Sequence, residues 1–536
     1  MIGILSFLGF TILVAVISYF ATRTTDEQTS DGYFLGGRSL TAGVIAGSLL
    51  LTNLSTEQIV GLNGSAYTDG LSVMAWETLA AIAIVVAAIF LLPRYLKGGL
   101  TTVPQFLAKR FDVATKTITS GLFLTGYVVV LLPVILYSGS VAISGMFDVP
   151  TLLNVSDSTA LVICIWGIGI IGSIYAVFGG LKAVAVSDSI NAIGLLIGGL
   201  LIPVFGLMAI GDGSVFGGLE TLVSSNPERF DSTGNTGQEV PFSTIFTGMM
   251  LVQLFYWGTN QQIIQRALGA KNLAEGQKGL LLASFLKILG PLILVLPGMI
   301  AYHYFDGGLD SSDLAYPELV RAVLPKPLVG FFAAVLFGAI LSSFNSVLNS
   351  SVTLFGIDIY KQHINKEASE TIVVKYGKIF GICLALAAMF IAPLIANAGS
   401  LFNYLQEING IYSIPIFTII VVGYLTKRVP AIAAKIGILS GSALYIISQF
   451  WLKNKFINDA LAEANASGIT DADTLKIIEA EAYPHYLHIM AILFITNIVI
   501  MLVIGAVRPR KEPFVLEYTD QVSITPFKYV NQFGII

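Results

Sequence analysis

Apolar runs of about twenty residues, each long enough for a helix to cross a bilayer, follow one another along nearly the whole chain. Thirteen can be marked: 2–21, 42–67, 71–95, 118–147, 160–179, 184–210, 242–264, 279–302, 328–355, 379–398, 401–425, 430–452 and 486–507. The stretches between them are short, so the pattern predicts one all-α integral membrane domain. The first run lacks a basic segment before it and a clear cleavage site after it, and reads as a retained span.

Two runs do not read as continuous helices. Run 42–67 holds Thr52, Asn53, Ser55, Thr56, Glu57 and Gln58, then Asn63, Gly64 and Ser65. Irregular backbone at membrane depth is tolerated only when buried in protein or lining a cavity. A break near 53–55 is therefore predicted, and its freed carbonyls would suit a hard cation such as Na⁺. A polar helix packed inside the bundle is the alternative. Run 242–264 holds Gln253, Tyr256, Trp257, Thr259, Asn260, Gln261 and Gln262. Amides bond hydroxyls and aromatic faces cover the C–H side of a sugar ring, so this set suits a polyhydroxylated ligand. An interfacial aromatic belt would look similar. In run 328–355, Ser342, Ser343, Asn345, Ser346, Asn349, Ser350 and Ser351 offer oxygens to a cation, although small hydroxyl residues also simply join helices. Run 401–425 adds Gln406 and Glu407.

Charge changes the picture by its placement. Of the 536 residues 55% are hydrophobic and 12% charged, about half the charged share of a soluble chain. Glu77 and Lys287 lie within apolar runs, where an ionisable group is expensive and marks a functional site unless it snorkels or forms a structural ion pair. The runs holding them follow the two polar-interrupted runs. An offset of five spans inverts orientation, so runs two to six against seven to eleven form an expected inverted repeat. This divides the chain into 1–41 (first span and linker), 42–211, 212–425 (the two repeats) and 426–536 (peripheral spans and tail). Basic residues gather at Arg94–Lys116, Arg266–Lys278, Lys427–Lys435 and Arg508–Lys511, while alternate loops carry Asp and Glu. Basic loops stay cytoplasmic, which places the N-terminus outside. The end of the tail, 523–536, is a half-apolar stub, either an interfacial segment or the remnant of a final span. Cys164 and Cys383 both lie in apolar runs, and the four histidines show no zinc spacing.

Several strings resemble the sodium:solute symporter family, in particular its sodium/galactose (sodium/glucose) branch: DGYFLGGRSL, NLSTEQIVGLNGSAY, TVPQFLAKRF, YAVFGGLKAVAVSDSIN, FYWGTNQQIIQRALGAK, ILSSFNSVLNSS, DIYK and YLQEINGIYSIP. They run in order from Asp31 to about Arg428. The resemblance implies a LeuT-like core of 5+5 helices with extra flanking spans, and Na⁺ as co-transported ion. It implies a sugar site of Gln58, Glu77, Gln253, Lys287 and Gln406, with Asn53 supporting the broken turn. Tyr256 would be the inner gate, with Trp257 beside it. The Na⁺ site would use the carbonyls of Leu51, Leu54 and Ala339 and the hydroxyls of Ser342 and Ser343. Asp188 would line the sodium exit. The branch has Asn in place of Gln253, Tyr in place of Trp76 and Ser in place of Ala80.

These readings converge on a carrier of the bacterial inner membrane whose partners are a sugar, Na⁺ and lipid, with no nucleic acid. The rivals are symport of inositol, an acidic sugar such as sialic acid, or an amino acid, and a sodium-leak protein or sensor. An enzyme is not expected, because Glu77 has no nucleophile–base pair or metal-ligand set around it.

Overall fold

The computed structural model describes residues 2–22, 29–397 and 401–535. The apolar runs fall on helices. Residues 23–28 of the first linker, and residue 398 at the end of the tenth run, lie outside the described residues. Among the described residues nine helices are long and apolar enough to cross a membrane. A bent pair, Leu273–Lys287 with Gly290–Tyr304 at 51°, makes ten. Leu5–Phe20 and Ala42–Asn53 are shorter apolar helices. Exposed Ile12, Ile82, Phe90, Phe285, Phe390 and Ile495 face outward, where lipid rather than water would meet them.

Both polar-interrupted runs are broken. In the first, helix Ala42–Asn53 stops and helix Thr56–Asp69 begins. Between them Leu54 has φ −75° and ψ 51°, and Ser55 is extended. In the second, Asn260 is extended (ψ 121°) between Met250–Thr259 and Gln261–Leu268. Its side chain caps the new helix by accepting from the Gln262 amide (3.1 Å), and also accepts from the Tyr127 hydroxyl (2.6 Å). At Asn260 a short amide side chain thus replaces a backbone partner that the break removes and restarts the helix, whereas Ser55 at the first break makes no side-chain cap.

Helical backbone also runs through Asp157–Ile210. On a straight helix Ile171 and Asn191 would stand about 30 Å apart, yet they line one cavity. The path between the spans Asp157–Ile174 and Leu181–Ile210 is therefore bent rather than straight. At the centre stands Lys326–Thr353, buried from Gly330 to Thr353 except at Phe331 and Leu341. Glycines let neighbours approach it closely: a methyl on Gly198 would sit 2.7 Å from Phe332, and one on Gly194 2.9 Å from Val335.

The loops sort by charge. The buried guanidinium of Arg110 donates to the carbonyls of Gly423 (2.9 Å), Val429 (3.0 Å) and Thr426 (3.1 Å). Lys435 pairs with Asp112 at 2.8 Å. The tail crosses the same face as an irregular strap. The Arg510 amide bonds the Arg428 carbonyl (2.8 Å), Thr519 bonds Lys97 (3.1 Å), and Ser523 accepts from Leu273 (3.0 Å). The strap ends in a short helix, Val530–Ile535, whose Gly534 lies against Val85 and Ile89. The basic loops thus meet at one end of the bundle. The acidic loops meet at the other: the Glu239 amide donates to Asp69 (2.6 Å), Arg229 to the Tyr67 carbonyl (2.8 Å), and Asn226 lies 3.2 Å from His303.

Two measurements check this packing. A methyl on Gly298 would run into the Asn63 carbonyl, so Gly298→Ala is expected to cost about 1–3 kcal/mol and to lower the melting temperature in detergent. Glu239 is pushed up to about 8 by burial, with Asp69 and Asp313 adding repulsion against a stabilising Ser65 contact. Folding therefore favours its protonated form, and its destabilising effect grows as pH rises from the unfolded value near 4.5 to about 8. Glu239→Gln should raise the melting temperature at pH 9 and leave it unchanged at pH 4.

Candidate functional site

A cavity enclosing about 600 Å³ of empty space, mouth included, opens beside the first break, within the usual size range of small-molecule sites. Its wall includes Asn53, Gln58, Glu77, Gln253, Tyr256, Lys287 and Gln406. These are all the expected solute residues and one of the two expected gate residues, drawn from five separate runs.

Glu77 and Lys287 form an ion pair, each with at most 2% of its side chain exposed. Glu77 rises from the first turn of Ala75–Val86, and Lys287 is the last residue of Leu273–Lys287. The bend after Lys287 brings Gly290 against Glu77, and any side chain at 290 would strike that carboxylate. The Lys287 ammonium also lies 5.7 Å from the centre of the Trp257 ring. A buried pair this enclosed holds only while both partners are present, because either one alone is an uncompensated charge.

Gln253 has a second job. Its amide donates to the Trp76 carbonyl (2.7 Å) and accepts from the Trp257 indole N–H (3.1 Å). Trp257 thus stands behind the cavity wall, braced by Gln253. Tyr256, edge-on to it at 5.3 Å, faces the cavity.

Asn260, one of the amide-rich set expected to suit a polyhydroxylated ligand, is also in the wall, together with Glu57, Asn409 and Tyr412, which the sequence pattern did not assign to the solute. Asn409 and Tyr412 lie three and six residues after Gln406 on one helix, so helical periodicity alone could have found them. Glu57 adjoins Gln58 in the polar cluster of the first broken run.

On the far side of the break lies the hydroxyl-rich helix. Ala339, Ser342 and Ser343 are buried. Ser343 donates to the Thr52 carbonyl (3.1 Å), and the Thr52 hydroxyl lies 3.4 Å from Ser342 and 3.3 Å from Ser346. Leu51 and Leu54 flank this point at the end of helix Ala42–Asn53, where carbonyls lose their intrahelical partners. Carbonyl and hydroxyl oxygens are the donor set a hard monovalent ion takes, and the Arg266 guanidinium reaches Ser346 at the edge of this cluster.

Asp188 adjoins this chamber. Its Oδ2 accepts from Ser48 (2.6 Å) and lies 3.7 Å from Arg266, while its Oδ1 is buried without a partner. Arg266 is fully committed: it donates to Ser48 (2.8 Å), to the Gln262 carbonyl (2.5 Å) and to Ser346.

The model of the sodium:solute symporter family matches residues 33–441. The chain is 46% identical over 529 residues, 98% of this chain and 88% of the relative, to the Escherichia coli (strain K12) protein called uncharacterized symporter YidK. It is 32% identical over 451 residues to the sodium/glucose cotransporter of Vibrio parahaemolyticus, covering 80% of this chain and 81% of that one. Among solved structures, a Na⁺-coupled sialic acid symporter in a substrate-bound outward-open state superposes with a TM-score of 0.72 at 18% identity, covering 93% of this chain and 98% of that one. At that identity the likeness speaks to the fold. The chain belongs to the sodium:solute symporter family and is a multi-pass membrane symporter, not an enzyme, that couples Na⁺ to a small solute.

Proposed function

We propose that this symporter carries a hexose-type sugar into the cell with Na⁺ by alternating access. The buried Glu77–Lys287 pair on the cavity wall carries this reading. It offers an acceptor and a donor side by side at little net charge, which suits hydroxyls better than an ionised group. Gln58, Gln406 and Asn53 supply further amides, and the Vibrio relative is named for glucose. An acidic sugar would call for a free cation, and Arg266 is already engaged by Asp188. Inositol is the second reading, favoured by the same wall of amides. The Trp76, Ala80 and Gln253 positions, where the branch differs, would decide between polyols.

The rest of the scheme follows from the two breaks. Na⁺ binds the carbonyls of Leu51, Leu54 and Ala339 and the hydroxyls of Ser342 and Ser343, and steadies the first broken span. Solute then binds beside it, Tyr256 yields inward, and Na⁺ leaves past Asp188. The two broken spans, five apart and each followed by one member of the ion pair, support a 5+5 inverted repeat bounded at 42–211 and 212–425. Thirteen spans, an outside N-terminus and an inner-membrane location complete the proposal, supported by the sorting of basic and acidic loops. One charge moved through about 100 mV supplies about 2.3 kcal/mol, and a roughly tenfold Na⁺ gradient about 1.4. One Na⁺ per solute sustains roughly 500-fold accumulation.

Two experiments test this in proteoliposomes. Hexose uptake should vanish when Na⁺ is replaced by choline, and Ser343→Ala should raise the Na⁺ concentration for half-maximal uptake about tenfold. Uptake that persists in choline would exclude sodium coupling of the sugar. Lys287→Ala should abolish uptake and cost about 3–5 kcal/mol of stability. The double change Glu77→Gln/Lys287→Met should regain most of that stability without regaining uptake. Recovery of both would make the pair purely structural.

A further inference from the structure

We propose that Glu57 is a second acidic contact for the transported solute, accepting from its hydroxyl or ammonium donors, so that the cavity admits neutral or cationic solutes and rejects anionic ones. The inference rests on the reading of the cavity beside the first break as the solute site, and deepens it to a charge class.

Glu57 is 4% exposed and lines the cavity. Its Oε2 is enclosed and has no hydrogen-bond partner. Among the described residues no lysine or arginine pairs with it. Lys287 is taken by Glu77, Arg266 by Asp188, Lys116 by Asp358, and Lys453 by Glu407. The wall therefore carries two carboxylates and one ammonium. A structural reason for Glu57 exists: it sits in the first turn of Thr56–Asp69, where the helix dipole favours an anion. The dipole explains how a carboxylate with no cation partner survives there. It does not fill the acceptor sites of that carboxylate, and an unfilled buried acceptor is costly until a donor arrives.

The other polar groups on the wall sharpen the assignment. Gln253 is occupied by Trp76 and Trp257, and Asn260 by Tyr127 and Gln262. Glu57 and the Glu77–Lys287 pair thus remain as the charged groups on the wall. A sugar offers hydroxyl donors around its ring, whereas a uronate or sialic acid would bring a carboxylate into a wall with two of its own.

The test uses the full chain in proteoliposomes with a hexose, its monodeoxy and amino-deoxy analogues, and the matching uronate. Glu57→Gln is expected to raise the hexose KM about ten- to hundredfold at saturating Na⁺ and to leave Na⁺ half-saturation within about twofold. One monodeoxy analogue should show the same KM in wild type and variant, because the hydroxyl that Glu57 receives is the one it lacks. Uronate should compete better against Glu57→Gln than against wild type. Glu57→Asp, which keeps the charge, should retain the preference among analogues and serves if Glu57→Gln does not fold. An equal KM shift for every analogue, or a shift confined to Na⁺, overturns the inference. Wild-type preference for uronate over hexose overturns it as well. Failure of any hexose to enter with Na⁺ sinks the sugar reading instead, and Glu57 is then judged by the wild type's choice among polyol, amine and carboxylate solutes.

Discussion

A peptide group in hydrocarbon must find a hydrogen-bond partner within the protein, and the architecture follows from two places where the helix ladder fails. At Leu54–Ser55 and at Asn260 the backbone leaves the helix. Neither break could face lipid. The first is walled by the buried hydroxyl helix, through Ser343 and Thr52, and the second by Tyr127. Enclosing these breaks requires close helix approach, which explains the glycines facing Lys326–Thr353. The enclosure also creates the two chambers, a cavity on one side of the first break and a cluster of oxygens on the other.

Charge obeys the same constraint. Each buried ion pair ties together parts of the chain remote in sequence: Glu77 to Lys287, Asp188 to Arg266, Lys116 to Asp358. Such pairs add little net stability over apolar residues of the same size, yet are hard to break one partner at a time. They hold a polar interior in one arrangement. The donors and acceptors left over, rather than those already matched, are then the ones available to a passenger.

Much of this was legible in the residues. Run length and apolarity gave the helices, because a bilayer imposes a minimum length that composition cannot hide. The first break was legible because Asn53, Ser55 and Glu57 cannot face lipid. The meeting of Glu77 with Lys287 was legible as two isolated charges with no other way to be neutralised. What was hidden depended on packing geometry. Nothing local in the sequence shows that Trp257 lies behind the wall, since the Gln253 bond that holds it there requires both side chains to be placed. Glu57 looked like one member of a polar cluster, and its lack of a partner emerges only once every neighbour is in position. The tail was ambiguous for a related reason: half-apolar segments suit a headgroup layer and a protein surface equally well.

The tail also sets a limit on motion. From Arg510 to Phe527 it is irregular, turns at Asp520 (φ 55°), and is fastened at Arg428, Lys97, Leu273 and Gln277. The parts of the bundle it joins cannot separate beyond the slack held in its bends unless one fastening lets go. Any large opening at the basic end of the molecule must therefore begin by peeling this ribbon from at least one anchor, and the hydrogen bonds it gives up become part of the barrier to that movement.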